Sequence, residues 1–140
     1  MAHKLGAAFN IPHGVANALL ICQIIKFNAT DSPKKQAAFP QYKYPCAKER
    51  YGQIADELKL GGKNDDEKVK LLLKAIIKLK KDIGLPSSIK EFGISRKDFM
   101  AKLDDLVELA FDDQCTAANP VYPLLKDIRQ IYLDAYEGKI

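Results

Sequence analysis

Residues 15–27 read VANALLICQIIKF, and this apolar stretch decides the fold of the chain. Its apolar side chains lie nearly all round the helical wheel, which is typical of a helix packed on several sides. Pro12 lies just before it and has a backbone angle suited to a first helical turn, and the helix is expected to end near Asn28. The stretch is broken by Asn17 and Gln23 and is too short to span a bilayer. We therefore predict a buried helix.

Helical sequence patterns also recur in the residues after this helix. Apolar residues at three- and four-residue steps predict helices over 45–58 and about 121–136. Capping side chains predict further helix starts, at Asn64 or Asp65 and at Ser95, and a short helix from Asp31 through Ala38. No two-residue alternation persists anywhere. The prediction is an all-α helical bundle of five main helices.

Composition limits the classes of protein that fit. A chain of 140 residues with 47% apolar content can bury one core, so we expect residues 1–140 to form one helical domain or one piece of a larger domain. A net charge of +4 with 29% charged residues indicates an ordinary surface and argues against nucleic acid as a partner. The three cysteines show no CxxC pairing, which argues against a disulfide framework. With no signal peptide and no membrane span visible, a cytoplasmic protein is expected.

The residues most suited to chemistry lie at the start of the chain. His3 and His13, the two histidines present, both fall in AHKLGAAFNIPHG, just before the apolar helix. A neutral imidazole there can ligate a metal, although a histidine beside a glycine is more often structural or simply exposed. A catalytic divalent metal needs about three protein ligands plus an open position. With neither HxxxH nor HExxH, this chain alone cannot supply a conventional site.

Other candidates favour ordinary structural interpretations. Four lysines recur at about one helical turn, but acidic residues precede them and no aromatic residues interleave, so they are interpreted as a solvated face: Lys70, Lys74, Lys78 and Lys81. Cys115 stands in FDDQCTAANP with no histidine close in sequence, which favours a connector thiol unless folding brings His3 near it. Asp112 and Asp113 are expected to cap or to be solvated. Glycine-rich phosphate-binding motifs are absent from the sequence.

Four separated segments carry a resemblance to a known family. They are residues 2–21 (AHKLGAAFNIPHGVANALLI), FNATDSP followed by KQAAFPQY, residues 83–94 (IGLPSSIKEFGI) and residues 110–125 (AFDDQCTAANPVYPLL). Together they resemble the C-terminal end of the iron-dependent alcohol dehydrogenases. The similarity is greatest to the alcohol dehydrogenase half of the bifunctional acetaldehyde/alcohol dehydrogenases. It covers essentially the whole chain.

The resemblance implies a function and a set of site residues. Such enzymes combine an α/β nucleotide-binding region with a helical metal-binding region, and this chain resembles the latter portion of the helical region. One aspartate and three histidines hold ferrous iron in the family, and His13 matches the last of these histidines, in the PHG motif. The other ligands would lie upstream of Met1. His3 matches an active-site histidine that can relay a proton or bind the alcohol oxygen, and Cys115 matches a stretch that lines the cleft. Asn10 departs from the relatives, which commonly have histidine at this non-ligand position.

Two interpretations follow from these observations. In the first, the chain is a fragment of an NAD-linked dehydrogenase that interconverts acetaldehyde and ethanol. It then has an incomplete iron site, needs the upstream nucleotide-binding domain, is inactive alone, and belongs to a parent that forms a homo-oligomer or filament. In the second, it is a self-sufficient helical interaction module without catalysis. A fragment is expected to expose a large apolar patch around residues 15–25, whereas a module is expected to be polar all round.

Overall fold

The computed structural model describes residues 1–31 and 47–140, and every element assigned within these ranges is a helix. In chain order the helices are α1 (Ala2–Phe9), α2 (His13–Asn28), α3 (Ala47–Glu57), α4 (Asp65–Asp82), α5 (Arg96–Phe111) and α6 (Leu125–Glu137). The all-α prediction is thus confirmed. The short helix predicted from Asp31 through Ala38 lies almost wholly outside the described residues, as do the start predicted at residue 45 and the thiol of Cys46.

Helix α2 lies at the centre of the arrangement, as its apolar sequence predicts. It packs against α1 and α6 on one side and against α3 and α4 on the other. Ala16 and Leu19 are essentially inaccessible to solvent. Within the ranges that the structure describes, neither α2 nor any other helix is long and apolar enough to cross a membrane.

Two hydrophobic clusters lie on opposite sides of α2. The larger one joins α1, α2, α5 and α6, and the largest side chains buried in it are Leu5, Leu19, Ile89, Phe99, Leu103, Leu106, Ile128 and Tyr132. In this cluster the rings of Phe99 and Tyr136 stack with their centroids 4.4 Å apart. The smaller cluster joins α2 to α4 and consists of Cys22, Ile25, Val69 and Leu73. The helical hairpin α3–α4 is therefore attached to the rest through α2.

The predicted capping residues lie at the helix starts. The Asn64 side chain accepts a hydrogen bond from the backbone N–H of Glu67 at 3.0 Å, and Ser95 accepts one from Asp98 at 3.1 Å. The predicted start of the last helix is four residues too early. The Asp127 carboxylate accepts the backbone N–H of Leu124 at 2.9 Å, which fixes the first turn of α6 after Pro123 instead of at Val121.

Helix α1 was not predicted, because AHKLGAAF was interpreted as an approach to the apolar helix. It buries Leu5 completely and ends at Asn10, whose φ of 53° is a left-handed conformation that asparagine tolerates. The backbone N–H of Ile11 then donates to the Gly6 carbonyl at 3.1 Å. A side chain at Gly6 would place its Cβ 2.9 Å from the Ile11 carbonyl oxygen, so this tight turn requires glycine. The corner brings the start of α2 back against α1.

Candidate metal-binding site at the α1–α2 corner

The corner brings the two histidines together. His3 lies in the first turn of α1, and His13 is the first residue of α2. Their rings stack with centroids 4.7 Å apart and an interplanar angle of 17°. Both side chains are exposed. The ten-residue separation of the two histidines is weak sequence evidence of a site. In the folded chain their rings are in direct contact.

Asn17 is a third member of this site that the sequence analysis missed. It lies one helical turn after His13, and its Nδ2 is 3.0 Å from Nε2 of the His13 ring. This contact is a hydrogen bond between the Asn17 amide and the His13 ring, and the imidazole tautomer decides which group donates. The i to i+4 spacing of a histidine and an asparagine on one helix face is the signal that would have revealed it.

A mostly apolar groove of about 440 Å³ has Asn17 as one of its lining residues. It lies between α2, α6 and the connector 112–124, and it is lined by Met1, Ala2, Asn17, Leu20, Ile21, Ile24, Phe27, Cys115, Thr116, Asn119, Pro123, Ile128 and Ile131. Asn17 both lines the groove and contacts His13, whereas neither imidazole is part of the lining. Several of the apolar side chains in its lining belong to α2, namely Leu20, Ile21 and Ile24.

Cys115 is exposed and lines this groove, and folding does not place it in a cluster with the histidines. Its backbone N–H donates to the Asp113 carboxylate at 3.0 Å, and that carboxylate also pairs with Lys4 of α1 at 3.2 Å. The hydrogen bond from Cys115 and then the ion pair with Lys4 lower the pKa of Asp113 to about 2. Asp113 is therefore ionised at neutral pH and ties the connector to α1, a tertiary role beyond the capping or solvation that was predicted.

The other end of the connector is held by a pair of amides. Asn28 donates to Asn119 Oδ1 at 3.1 Å, and Asn119 donates back to Asn28 Oδ1 at 2.7 Å. Asn119 also donates to the carbonyl of Val121 at 2.5 Å. Asn28 is only 3% exposed, so the half-buried Asn119 satisfies an amide that water hardly reaches. The connector that carries Cys115 is thus fixed at both ends.

Few metal-ligating side chains lie together in the described residues. In residues 1–31 and 47–140 no group of three or more histidine, cysteine, aspartate or glutamate side chains could hold a metal ion. The His13 ring is nevertheless exposed at a helix start, with a second imidazole stacked on it. The donors at this corner are compatible with a single imidazole ligand contributed to a larger site.

Comparison with known proteins identifies the class. The profile of the Fe-containing alcohol dehydrogenase family, C-terminal, matches residues 1–136. The chain therefore belongs to the Fe-containing alcohol dehydrogenase family, which confirms the resemblance read from its four segments. It also agrees with the fold, since the iron-containing alcohol dehydrogenase from Thermococcus thioreducens superposes with a TM-score of 0.73 at 28% identity, over 99% of this chain and 31% of that one.

Relatives with high sequence identity include aldehyde-alcohol dehydrogenases. The chain is 53% identical over 141 residues to the bifunctional aldehyde-alcohol dehydrogenase AdhE of Escherichia coli (strain K12), covering 99% of this chain and 16% of that protein. It is also 53% identical over 137 residues to the aldehyde-alcohol dehydrogenase of Clostridium acetobutylicum, covering 98% and 16%. The chain thus corresponds to the alcohol dehydrogenase region of such enzymes and spans about 16% of their length.

Proposed function

We propose that this chain is the C-terminal part of an iron-dependent, NAD-linked alcohol dehydrogenase that interconverts acetaldehyde and ethanol. His13 is the iron ligand, His3 the proton-transferring group, and Cys115 a residue of the cleft that receives cofactor and substrate. The observation that carries this proposal is the contact between the His3 and His13 rings at the α1–α2 corner, beside an apolar groove. The names of the relatives, aldehyde-alcohol dehydrogenases, support the substrate class by analogy, and the NAD linkage is part of the same proposal.

Ferrous iron bound there would supply Lewis acidity toward the alcohol or aldehyde oxygen, and NAD would supply the hydride chemistry. The contributions of this chain are positioning and proton movement. Asn17 contacts the His13 ring from the same helix and orients it, which leaves the other ring nitrogen for the metal. His3 lies against that ring, and histidine is the side chain best suited to exchange a proton near neutral pH.

The groove supports a small, weakly polar substrate. Its walls are mostly apolar side chains, several of them on α2 and α6, and Asn17 lies among them. Cys115 and Thr116 form the opposite wall, and Asp113 holds them there through its bond to the Cys115 backbone. A small alcohol or aldehyde has the size and polarity for such a groove.

The 140 residues should not catalyse the reaction by themselves. They contribute one of the ligands, so the other ligands and the nucleotide-binding domain are proposed to come from the rest of a dehydrogenase resembling the relatives. The free thiols of Cys22 and Cys115 support a reducing, cytoplasmic setting. Assembly of the parent into a homo-oligomer or filament is part of the same proposal.

The test is a chimera with the Escherichia coli relative. Its region matching this chain is replaced by residues 1–140, which the 53% identity makes structurally conservative. The chimera is expected to retain iron and to reduce acetaldehyde with NADH, whereas the isolated chain is expected to show no turnover. Iron is measured by mass spectrometry of the purified protein and turnover by NADH absorbance. An active isolated chain would overturn the incomplete-site proposal.

Two matched variants separate the histidine roles in the chimera. His13→Ala is expected to remove both iron and activity, because a ligand is lost. His3→Ala is expected to leave the iron content unchanged and to lower kcat by about a hundredfold, the usual scale for a proton-transfer group. Retention of full iron and activity by His13→Ala would contradict the ligand assignment, and loss of iron in His3→Ala would contradict the division of roles.

A further inference from the structure

A second groove lies far from the histidines in sequence, at the C-terminal end of α4. It has a volume of about 880 Å³ and is lined by Ile77, Lys80, Lys81, Gly84, Leu85, Pro86, Ser87, Glu91, Phe92, Gly138 and Ile140. Lys80 is unusual among these residues because it is only 9% exposed, whereas the next residue, Lys81, is exposed. A lysine this buried normally has a charged partner.

Lys80 has no such partner within the part of the chain that the structure describes. None of the ion pairs and hydrogen bonds found there involves its ammonium group, although Lys78 on the same helix pairs with Asp82. The carboxylate in the groove, Glu91, is occupied by Ser87, whose backbone N–H donates to it at 2.7 Å and whose hydroxyl also donates to it. The Lys80 side chain is thus largely buried without an ion pair or hydrogen bond to the described residues, while its amine still reaches solvent at the groove.

The electrostatic surroundings favour the neutral amine. Burial lowers the pKa of Lys80, opposed by weaker interactions with Cys22 of α2 and Glu91 of the following turn. Burial also raises the pKa of the Cys22 thiol, so this neighbour carries no charge at neutral pH. A larger fraction of Lys80 is therefore unprotonated than of an ordinary lysine, and a neutral amine is a nucleophile.

We propose that Lys80 is a carbonyl-reactive amine that captures small aldehydes in this groove as a Schiff base. The amine nitrogen attacks the carbonyl carbon to give a carbinolamine, and the aldehyde oxygen then leaves as water with the two amine hydrogens, which forms the C=N bond. No oxidant or reductant is needed. A neutral aldehyde fits better than an anion because Glu91 carries a negative charge in the same groove and the remaining walls include Ile77, Leu85 and Phe92. The inference is independent of the dehydrogenase proposal.

The test uses the intact 140-residue chain, with acetaldehyde and cyanoborohydride to trap the imine at pH 7.5. Peptide mass spectrometry at low conversion gives the labelling rate of each lysine, and Lys81 is the matched exposed control. Lys80 is expected to react at least about threefold faster than Lys81, since each unit of lowered pKa raises the neutral fraction about tenfold. Its rate is also expected to level off at a lower pH. Labelling of Lys80 no faster than that of Lys81 would overturn the proposal.

Glu91→Gln gives a second measurement that does not depend on access to the groove. The glutamine can still accept from Ser87 but no longer favours the charged form of Lys80. The labelling rate of Lys80 in this variant is expected to rise while that of Lys81 stays constant. A decrease at Lys80, or an equal rise at both lysines, would show that its reactivity does not come from this environment.

Discussion

Replacing Asn119 by alanine should release the connector that carries Cys115. The substitution removes the two amide bonds to Asn28 and the bond to the Val121 carbonyl. Each is worth about 1 kcal/mol net, and Asn28 is then left buried with an unpaired carbonyl oxygen, which adds about 1–3 kcal/mol. Its remaining contact, to the Tyr51 hydroxyl at 3.5 Å, is too long to compensate. The expected loss in the free energy of unfolding is about 4–6 kcal/mol.

A double-mutant cycle distinguishes this mechanism from simple loss of packing. Asn119→Ala is expected to leave the buried Asn28 amide without its partner, whereas the double variant leaves no unpaired amide at this position. The double variant should therefore be less destabilised than the sum of the single ones, by about 1–3 kcal/mol. Urea unfolding followed by circular dichroism at 222 nm measures all three, and Asn17→Ala, an exposed asparagine on the same helix, is the control for an asparagine lost from a surface. Additivity within about 0.5 kcal/mol would refute the reasoning.

The labelling rate of Cys115 is a second measure of whether the connector is released. Cys115 is exposed in a fixed position, whereas Cys22 is buried. Asn119→Ala should therefore raise the rate at which iodoacetamide labels Cys115 without changing the rate at Cys22, as resolved by peptide mass spectrometry. Equal acceleration at both thiols would indicate global unfolding instead of local release.

Two further predictions concern the α1 side of the site. Asp113→Asn removes the ion pair with Lys4 and should lower stability at pH 7 by about 1–2 kcal/mol after solvent screening. Because the pKa of Asp113 is lowered in the folded state to about 2, its contribution is complete above about pH 4 and disappears as the pH falls toward 2, so acid unfolding curves of the two proteins should converge there. Gly6→Ala should lower the free energy of unfolding by about 1–3 kcal/mol, since the new Cβ meets the Ile11 carbonyl oxygen at 2.9 Å. Gly14→Ala meets nothing within 4 Å and should be neutral or stabilising, and equal melting temperatures for the two alanine variants would contradict the tight corner.

The features that sequence could predict are those set by neighbours along the chain. The apolar wheel of α2 and the capping by Asn64 and Ser95 depend on residues within one or two turns, and all three were predicted. Helix α1 was missed because its short apolar face means little until Leu5 is packed against the other helices.

The site was predicted only in part for the same reason. His3 and His13 were selected by residue type, but their contact depends on the left-handed turn at Asn10, which leaves no periodic signal. The amide pair between Asn28 and Asn119 joins residues 91 positions apart, and no local pattern indicates it. The sequence of a connector between two helices does not indicate which distant side chains will form hydrogen bonds with it.

The position of α2 between two hydrophobic clusters has a consequence for unfolding. One face of this helix completes the larger cluster, and Cys22 and Ile25 complete the smaller one with α4. Detachment of the α3–α4 hairpin would expose apolar surface on the same helix that supports the histidine corner. Because both clusters share α2, unfolding of one exposes apolar surface of the other, and a single cooperative transition is expected for the described helices. The geometry of the histidine corner should persist until that transition.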